Sequence, residues 1–156
     1  MKSKVKTVAI NNNGIYNFSN DDEREFFALR LAVTASNRGT QAEAFVIENF
    51  PVKTYFQKAA GQNAPDFLLE DGRTIQCKCG EARIKGQNAK EAVTADFSTH
   101  WILVAANLKG FVIVTKEEML EKIDEIAIKE KTGFKLRLNE KNLRLHFKGY
   151  QRIEEA

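Results

Sequence analysis

Asp66, Gln76 and Lys78 are the residues of this chain whose types and spacing could act on one substrate. Asp66 opens the apolar run Phe67-Leu68-Leu69, a turn is marked by Glu70-Asp71-Gly72, and Gln76-Cys77-Lys78 follow in an alternating stretch. Two strands joined by that turn, residues 66–69 and 73–79, would bring the carboxylate beside the amide and the ammonium. Side chains alternate across a strand, so Gln76 and Lys78 share one face while Ile75, Cys77 and Cys79 share the other. A carboxylate, a second oxygen donor and an ammonium that converge form a place for a divalent cation and a charged phosphate.

The elements that must position these groups are legible on either side. Residues 5–10 read as a short strand and residues 11–14 as an Asn-rich turn. Ser19 or Asn20 caps a helix with Asp21, Asp22 and Glu23 in its first turn. Phe26, Leu29 and Val33, with Phe27 and Leu31 beside them, supply its apolar face. A second helix starts at Thr40, turns Ala42, Phe45 and Val46 inward and ends before Pro51. A strand at 52–56 and a loop at 59–63 lead to the hairpin. Residues 80–97 read as a polar loop with a short helix near 89–95, and two buried strands follow at 101–106 and 111–114. Thr115 caps a helix through Met119, Ile123, Ile126 and Ala127 that closes at Gly133. Residues 134–139 and 142–147 read as a final hairpin. The fold class is α/β, a mixed sheet flanked by helices. One domain over residues 1–156 is expected, with its core at about 20–133 and the basic hairpin at 134–152.

At 156 residues, 43% apolar and 29% charged, the composition is that of an ordinary globular protein. No apolar run approaches the roughly 18–20 residues needed to span a bilayer, and the first residues carry no apolar signal core. A cytoplasmic location is expected. The two cysteines, Cys77 and Cys79, are too close on one strand for disulfide geometry and form no zinc pattern, which suits a reducing setting. Net charge is only +3, but its distribution is uneven. Residues 72–90 hold five basic side chains (Arg73, Lys78, Arg83, Lys85, Lys90) against Glu81 alone. Residues 135–152 hold six (Lys135, Arg137, Lys141, Arg144, Lys148, Arg152) against Glu140. Such segregation suits a surface that faces phosphates.

Pro65-Asp66, a ten-residue interval and Gln76-Cys77-Lys78 resemble the signature of the PD-(D/E)xK nuclease superfamily. That group includes restriction endonucleases, junction resolvases and some intron-encoded homing endonucleases. Pro65-Asp66-Phe67-Leu68-Leu69 with Lys78 and Gly80 also looks like the corresponding part of phage endonuclease I resolvases. Gln76 departs from the usual acid, as in the Gln-x-Lys members associated with group I introns. The resemblance implies a restriction endonuclease-like core and Mg²⁺ as cofactor, with Mn²⁺ as a substitute. It implies that Asp66, Gln76 and the Cys77 carbonyl hold the metal and that Lys78 stabilises charge on the scissile phosphate. A neutral Gln76 should weaken metal affinity unless another acid compensates. Glu43 resembles the helical Glu that many members direct at the metal, and Glu48 is the alternative.

The implied activity is hydrolysis of duplex DNA by a sequence-specific endodeoxyribonuclease of restriction or homing type, in a bacterial or phage setting. The alternatives are a Holliday junction resolvase and, in a different class, a DNA-binding protein that has lost catalysis. In the expected C-terminal hairpin Lys135, Arg137, Arg144, His146 and Lys148 share a cationic face toward DNA. Arg73, Arg83, Lys85 and Lys90 are expected to add contacts. One site cuts one strand, so a homodimer or a larger homo-oligomer is expected for double-strand cleavage.

Overall fold

The computed structural model describes residues 9–10, 14–57 and 64–153. The expected loop at 59–63 and most of the first strand therefore lie outside the described residues. The chain opens with β1 (Ala9–Ile10) and β2 (Ile15–Asn17), then α1 (Asp21–Thr34) and α2 (Arg38–Asn49). The Asn20 side chain accepts from the Glu23 N–H, and the Asn37 side chain accepts from the Thr40 N–H. Those Asn caps fix both helix starts, the second two residues earlier than Thr40.

The buried face of α1 differs from the expectation. Arg24 and Ala28 are buried and Phe27 and Leu31 pack beside them, a spacing of i, i+3, i+4 and i+7. Leu29 and Val33 face outward, at 57% and 84% exposure. Arg24 takes the inner position because its guanidinium donates to the C-terminal carbonyls of α2, those of Ile47 and Glu48. A cation there meets carbonyls that have no partner within their own helix.

Next come β3 (Val52–Phe56), β4 (Phe67–Leu69), β5 (Thr74–Ile84), α3 (Ala89–Ala95), β6 (His100–Val104) and β7 (Gly110–Thr115). They are followed by α4 (Lys116–Ile126), β8 (Ala127–Lys129), β9 (Phe134–Leu138), α5 (Glu140–His146) and β10 (Gln151–Arg152). The main sheet runs β1-β2-β3-β4-β5-β6-β7-β10. Its neighbours are antiparallel except β5 and β6, whose parallel pairing runs from Ile75 opposite His100 to Cys79 opposite Val104. The mixed sheet flanked by helices is thus present, and α3 forms the crossover that a parallel pair requires.

Strand β5 runs on through residues expected to be a loop. Its second half pairs antiparallel with β9, Gly80 opposite Leu138 through Ile84 opposite Phe134, and β9 pairs with β8. Gly80 lies at the change of partner with φ +66°, a left-handed conformation that a side chain would strain. On β6, Ile102 and Val104 face the α1–α2 side, while Trp101 and Leu103 face the side covered by α3, α4 and α5. Two apolar layers therefore clasp the central strands, and period-2 alternation assigns each residue to one of them.

Two expectations for the C-terminal part are corrected. Helix α4, capped by a reciprocal Thr115–Glu118 box, stops at Ile126 rather than at Gly133, because Ala127-Ile128-Lys129 turn into a strand against β9. The expected second strand of the C-terminal hairpin is helix α5. The Asn139 side chain accepts from the Asn142 N–H, and Leu143 and Phe147, four apart, are buried while Leu145 is 72% exposed. A helical face is satisfied where a strand would have buried Leu145 as well. No helix among the described residues is long and apolar enough to cross a membrane.

Candidate active site

The site is built where short β4 ends and long β5 continues. Just ahead of β4, Asp66 donates its N–H to the Ile75 carbonyl at 2.8 Å, and its own carbonyl accepts from the Phe56 N–H at 2.9 Å. The main chain of Asp66 is thereby locked between β3 and β5. Its side chain then reaches along β5, and Oδ2 accepts from the Cys77 N–H at 2.9 Å. In an antiparallel pair a residue's N–H and C=O point to the same neighbour. The Cys77 carbonyl therefore faces the Asp66 side, past the end of β4.

The two faces of β5 separate as the alternation requires. The cysteines and Ile75 pack in the α1–α2 layer. Burial raises both thiols, Cys79 to about 11, so they remain protonated packing groups. Gln76 and Lys78 line a cleft of about 530 Å³ on the opposite face, together with Arg83, Lys85, Asp96 and Trp101. Lys78 Nζ donates to the Arg83 carbonyl at 3.1 Å and makes no ion pair among the described residues.

Asp66 is the electrostatic centre. Burial pushes its carboxyl up to about 7; the Cys77 N–H opposes this, and the charge of Glu43 adds to it. Lys78 then lowers it and Asp96 raises it. These charges act on one carboxyl from three separate elements. Glu43, on α2, is held by the Tyr55 hydroxyl, which donates to Oε1 at 2.7 Å. Burial raises the Glu43 carboxyl, and the Tyr55 bond partly offsets that. Tyr55 is fully buried, its ring stacked on Phe67 at 5.4 Å. Glu48 is exposed and engages Arg24 through its main chain.

Asp96 is the residue that the linear reading missed. It is 5% exposed at the C-terminal end of α3, and its Oδ2 accepts from Gln76 Nε2 at 2.7 Å. Tyr55 was missed as well. The available signal for Tyr55 was a tyrosine on an apolar strand, whose hydroxyl needs a partner when buried. For Asp96 nothing local distinguishes it from an acid that ends a helix.

Among the described residues no group of three Asp, Glu, His or Cys side chains is arranged to hold a metal ion. The available donor set is of another kind: the Asp66 carboxylate, the Gln76 amide oxygen and the Cys77 main-chain carbonyl. A small hard cation that keeps water and phosphate oxygens as its other ligands needs only one or two carboxylates from the protein. Asp66, hooked onto the Cys77 N–H, and the oxygens of Gln76 and Cys77 are donors of that hard type.

The expected DNA contacts are dispersed by the fold. Arg83 and Lys85 line the cleft beside Lys78. Others are committed to acids: Arg73 to Asp71, Lys90 to Asp124, and Lys135 to Glu81 and Glu130. Arg83 is itself paired with Glu130. The shared cationic ribbon face is not formed, because α5 sends its basic groups different ways. Arg144 stacks over Tyr150, His146 Nδ1 lies 3.5 Å from Glu125, and Lys148 lies beyond the helix end. Arg137 projects from the exposed side of β9.

Compared with protein-family models and with curated proteins, the chain matches none.

Proposed function

We propose that this protein is a Mg²⁺-dependent endodeoxyribonuclease that hydrolyses phosphodiester bonds of duplex DNA. The observation that carries the reading is the convergence on Asp66. The Pro65-Asp66 segment hooks onto the Cys77 N–H, between Gln76 and Lys78, with Glu43 and Asp96 acting on the same carboxyl. This is the juxtaposition that a PD-(D/E)xK resemblance requires of residues ten and twelve positions apart.

Asp66, Gln76 Oε1 and the Cys77 carbonyl would hold the cation, with Glu43 behind them. Mg²⁺, when bound, supplies Lewis-acid activation of water and neutralises the leaving oxyanion. The Cys77 N–H fixes one oxygen of Asp66 and so fixes the direction of the other. Lys78 offers a positive charge to the phosphate as negative charge develops. Its present acceptor is one neutral carbonyl, and an anionic phosphate oxygen is the stronger partner. Lys85, exposed and without an ion-pair partner among the described residues, extends positive charge along the cleft, where the backbone of a bound strand would lie. The reading places the protein in the cytoplasm, as a homodimer when both strands are cut.

The test is to incubate the full chain with linear duplex DNA and with a four-way junction, in Mg²⁺ or in EDTA. Discrete Mg²⁺-dependent cuts in the linear duplex are expected. Asp66→Ala and Lys78→Ala should each lower the rate by about 10²-fold or more while the circular dichroism spectrum is unchanged. Cuts confined to the junction would replace the reading by that of a resolvase. Failure to cut either substrate across divalent metals, with DNA binding retained, would replace it by that of a binding protein.

A further inference from the structure

We infer that Asp96 is a positioning residue that stands in for the acid absent from position 76, with amide and carboxylate exchanged across a hydrogen bond. The inference rests on the metal site proposed above and concerns which atom Gln76 presents to it. Gln76 and Asp96 are both buried, at 8% and 5% exposure, on the wall of the Lys78 cleft. Their contact of 2.7 Å is short for N–H···O, as hydrogen bonds to a charged acceptor are.

Asp96 is itself held by two further contacts. Its second oxygen, Oδ1, accepts from the Ser98 N–H at 2.8 Å. Its main-chain carbonyl and that of Thr94 both receive Lys116 Nζ, at 2.7 and 2.8 Å. A carboxylate accepts and does not donate, so the atom that Gln76 turns toward Asp96 must be its nitrogen. The amide oxygen is thereby directed away from Asp96 and left to bind a cation.

The arrangement also answers why a neutral side chain serves at this position. An amide that hands its N–H to an anion gains electron density on its oxygen, as linked hydrogen bonds polarise one another. Partners one shell out from a metal commonly orient and strengthen the ligand in this way. A Glu at position 76 would instead set a second carboxylate directly against Asp96 in a buried site. One charge per pair is retained either as Gln76 with Asp96 or, transposed, as Glu at 76 with Asn at 96. Position 76 presents an oxygen in both.

The experiment compares the wild type, Gln76→Glu, Asp96→Asn, the double variant and Asp66→Ala as full chains. Mn²⁺ binding is read by calorimetry, stability by urea unfolding and cleavage in Mg²⁺. Asp96→Asn and Gln76→Glu should each weaken Mn²⁺ binding roughly 10–100-fold, and the double variant should return to within about 3-fold of the wild type. The urea series should show the same coupling, the double variant being more stable than the less stable single variant. Asp96→Asn binding Mn²⁺ like the wild type, or additive effects in the double variant, would overturn the inference while loss of Mn²⁺ binding in Asp66→Ala preserved the site. Wild-type Mn²⁺ binding that is absent, or unchanged in Asp66→Ala, would overturn the site and the inference together.

Discussion

At the scale of single residues, the Asp66 carboxyl has the clearest measurable consequence. Its folded-state pKa, about 7, lies above the ordinary value of 3.8 because of burial. The folded protein therefore holds this proton more tightly than the unfolded chain does. The associated stability is fully present below the unfolded pKa and is lost as pH rises through about 7. Asp66→Asn keeps an acceptor for the Cys77 N–H but carries no charge. In EDTA it should match the wild type in urea unfolding at pH 4 and exceed it by about 1–3 kcal/mol at pH 8. A difference that is the same at both pH values would show that the carboxyl is not raised. Added Mg²⁺ should narrow the gap at pH 8, since a bound cation favours the ionised wild-type carboxylate. The phenol of Tyr55, raised chiefly by burial and then by the Glu43 charge, stays protonated and remains a donor to Glu43.

At the scale of elements, two junctions set the position of the site. Arg24 joins α1 to the carbonyls at the end of α2, the helix that carries Glu43. Arg24→Ala removes a buried guanidinium and leaves those carbonyls without it, and should cost about 2–4 kcal/mol in urea unfolding. A loss under about 0.5 kcal/mol, as at an ordinary surface position, would show that the junction is not structural. The second junction is the β8–β9 turn, which presses on the end of β5. Gly133 has φ +82°, and a Cβ there would lie 2.4 Å from the Ile84 carbonyl oxygen, which is main chain and cannot swing aside. Gly133→Ala should therefore cost more in urea unfolding than the ~1 kcal/mol expected for left-handed strain alone. Because β9 pairs only with the second half of β5, that variant should leave the Asp66–Cys77 hydrogen bond formed. Amide exchange at Cys77 would report it.

At the scale of the whole molecule, the proposed function turns on which positive charges would be available to DNA. Many basic residues that cluster in the sequence are neutralised by acids brought from elsewhere in the fold. Lys85 lines the cleft, is exposed, and has no ion-pair partner among the described residues. Arg144, on α5, is occupied with the Tyr150 ring outside the cleft lining. Lys85→Ala should reduce the slope of log binding constant against log salt by about 0.9, the loss of one phosphate contact. Arg144→Ala should leave the slope unchanged. Equal effects of the two would place the DNA on a broader surface than the cleft.

Much of this protein was determined locally and is legible without its fold. Asn20 and Asn37 cap helices because a side-chain oxygen reaches an N–H three residues ahead, an interaction that spans one turn. The turn at residues 70–72 and the alternation through Ile75, Gln76, Cys77 and Lys78 define β4, β5 and the two faces of β5, because a strand's period is two. Tertiary structure decided what short-range rules leave degenerate. Leu143, Leu145 and Phe147 satisfy a strand's alternation, and Leu143 with Phe147 also satisfies a helix's i, i+4 spacing. Burial against α4 and β7, with the Asn139 cap, selected the helix. Asp96 meets Gln76, twenty residues back in the chain, only because the α3 crossover brings the two together. The partners of the basic residues were settled in the same way, since a charge's surroundings depend on distance in space and not along the chain.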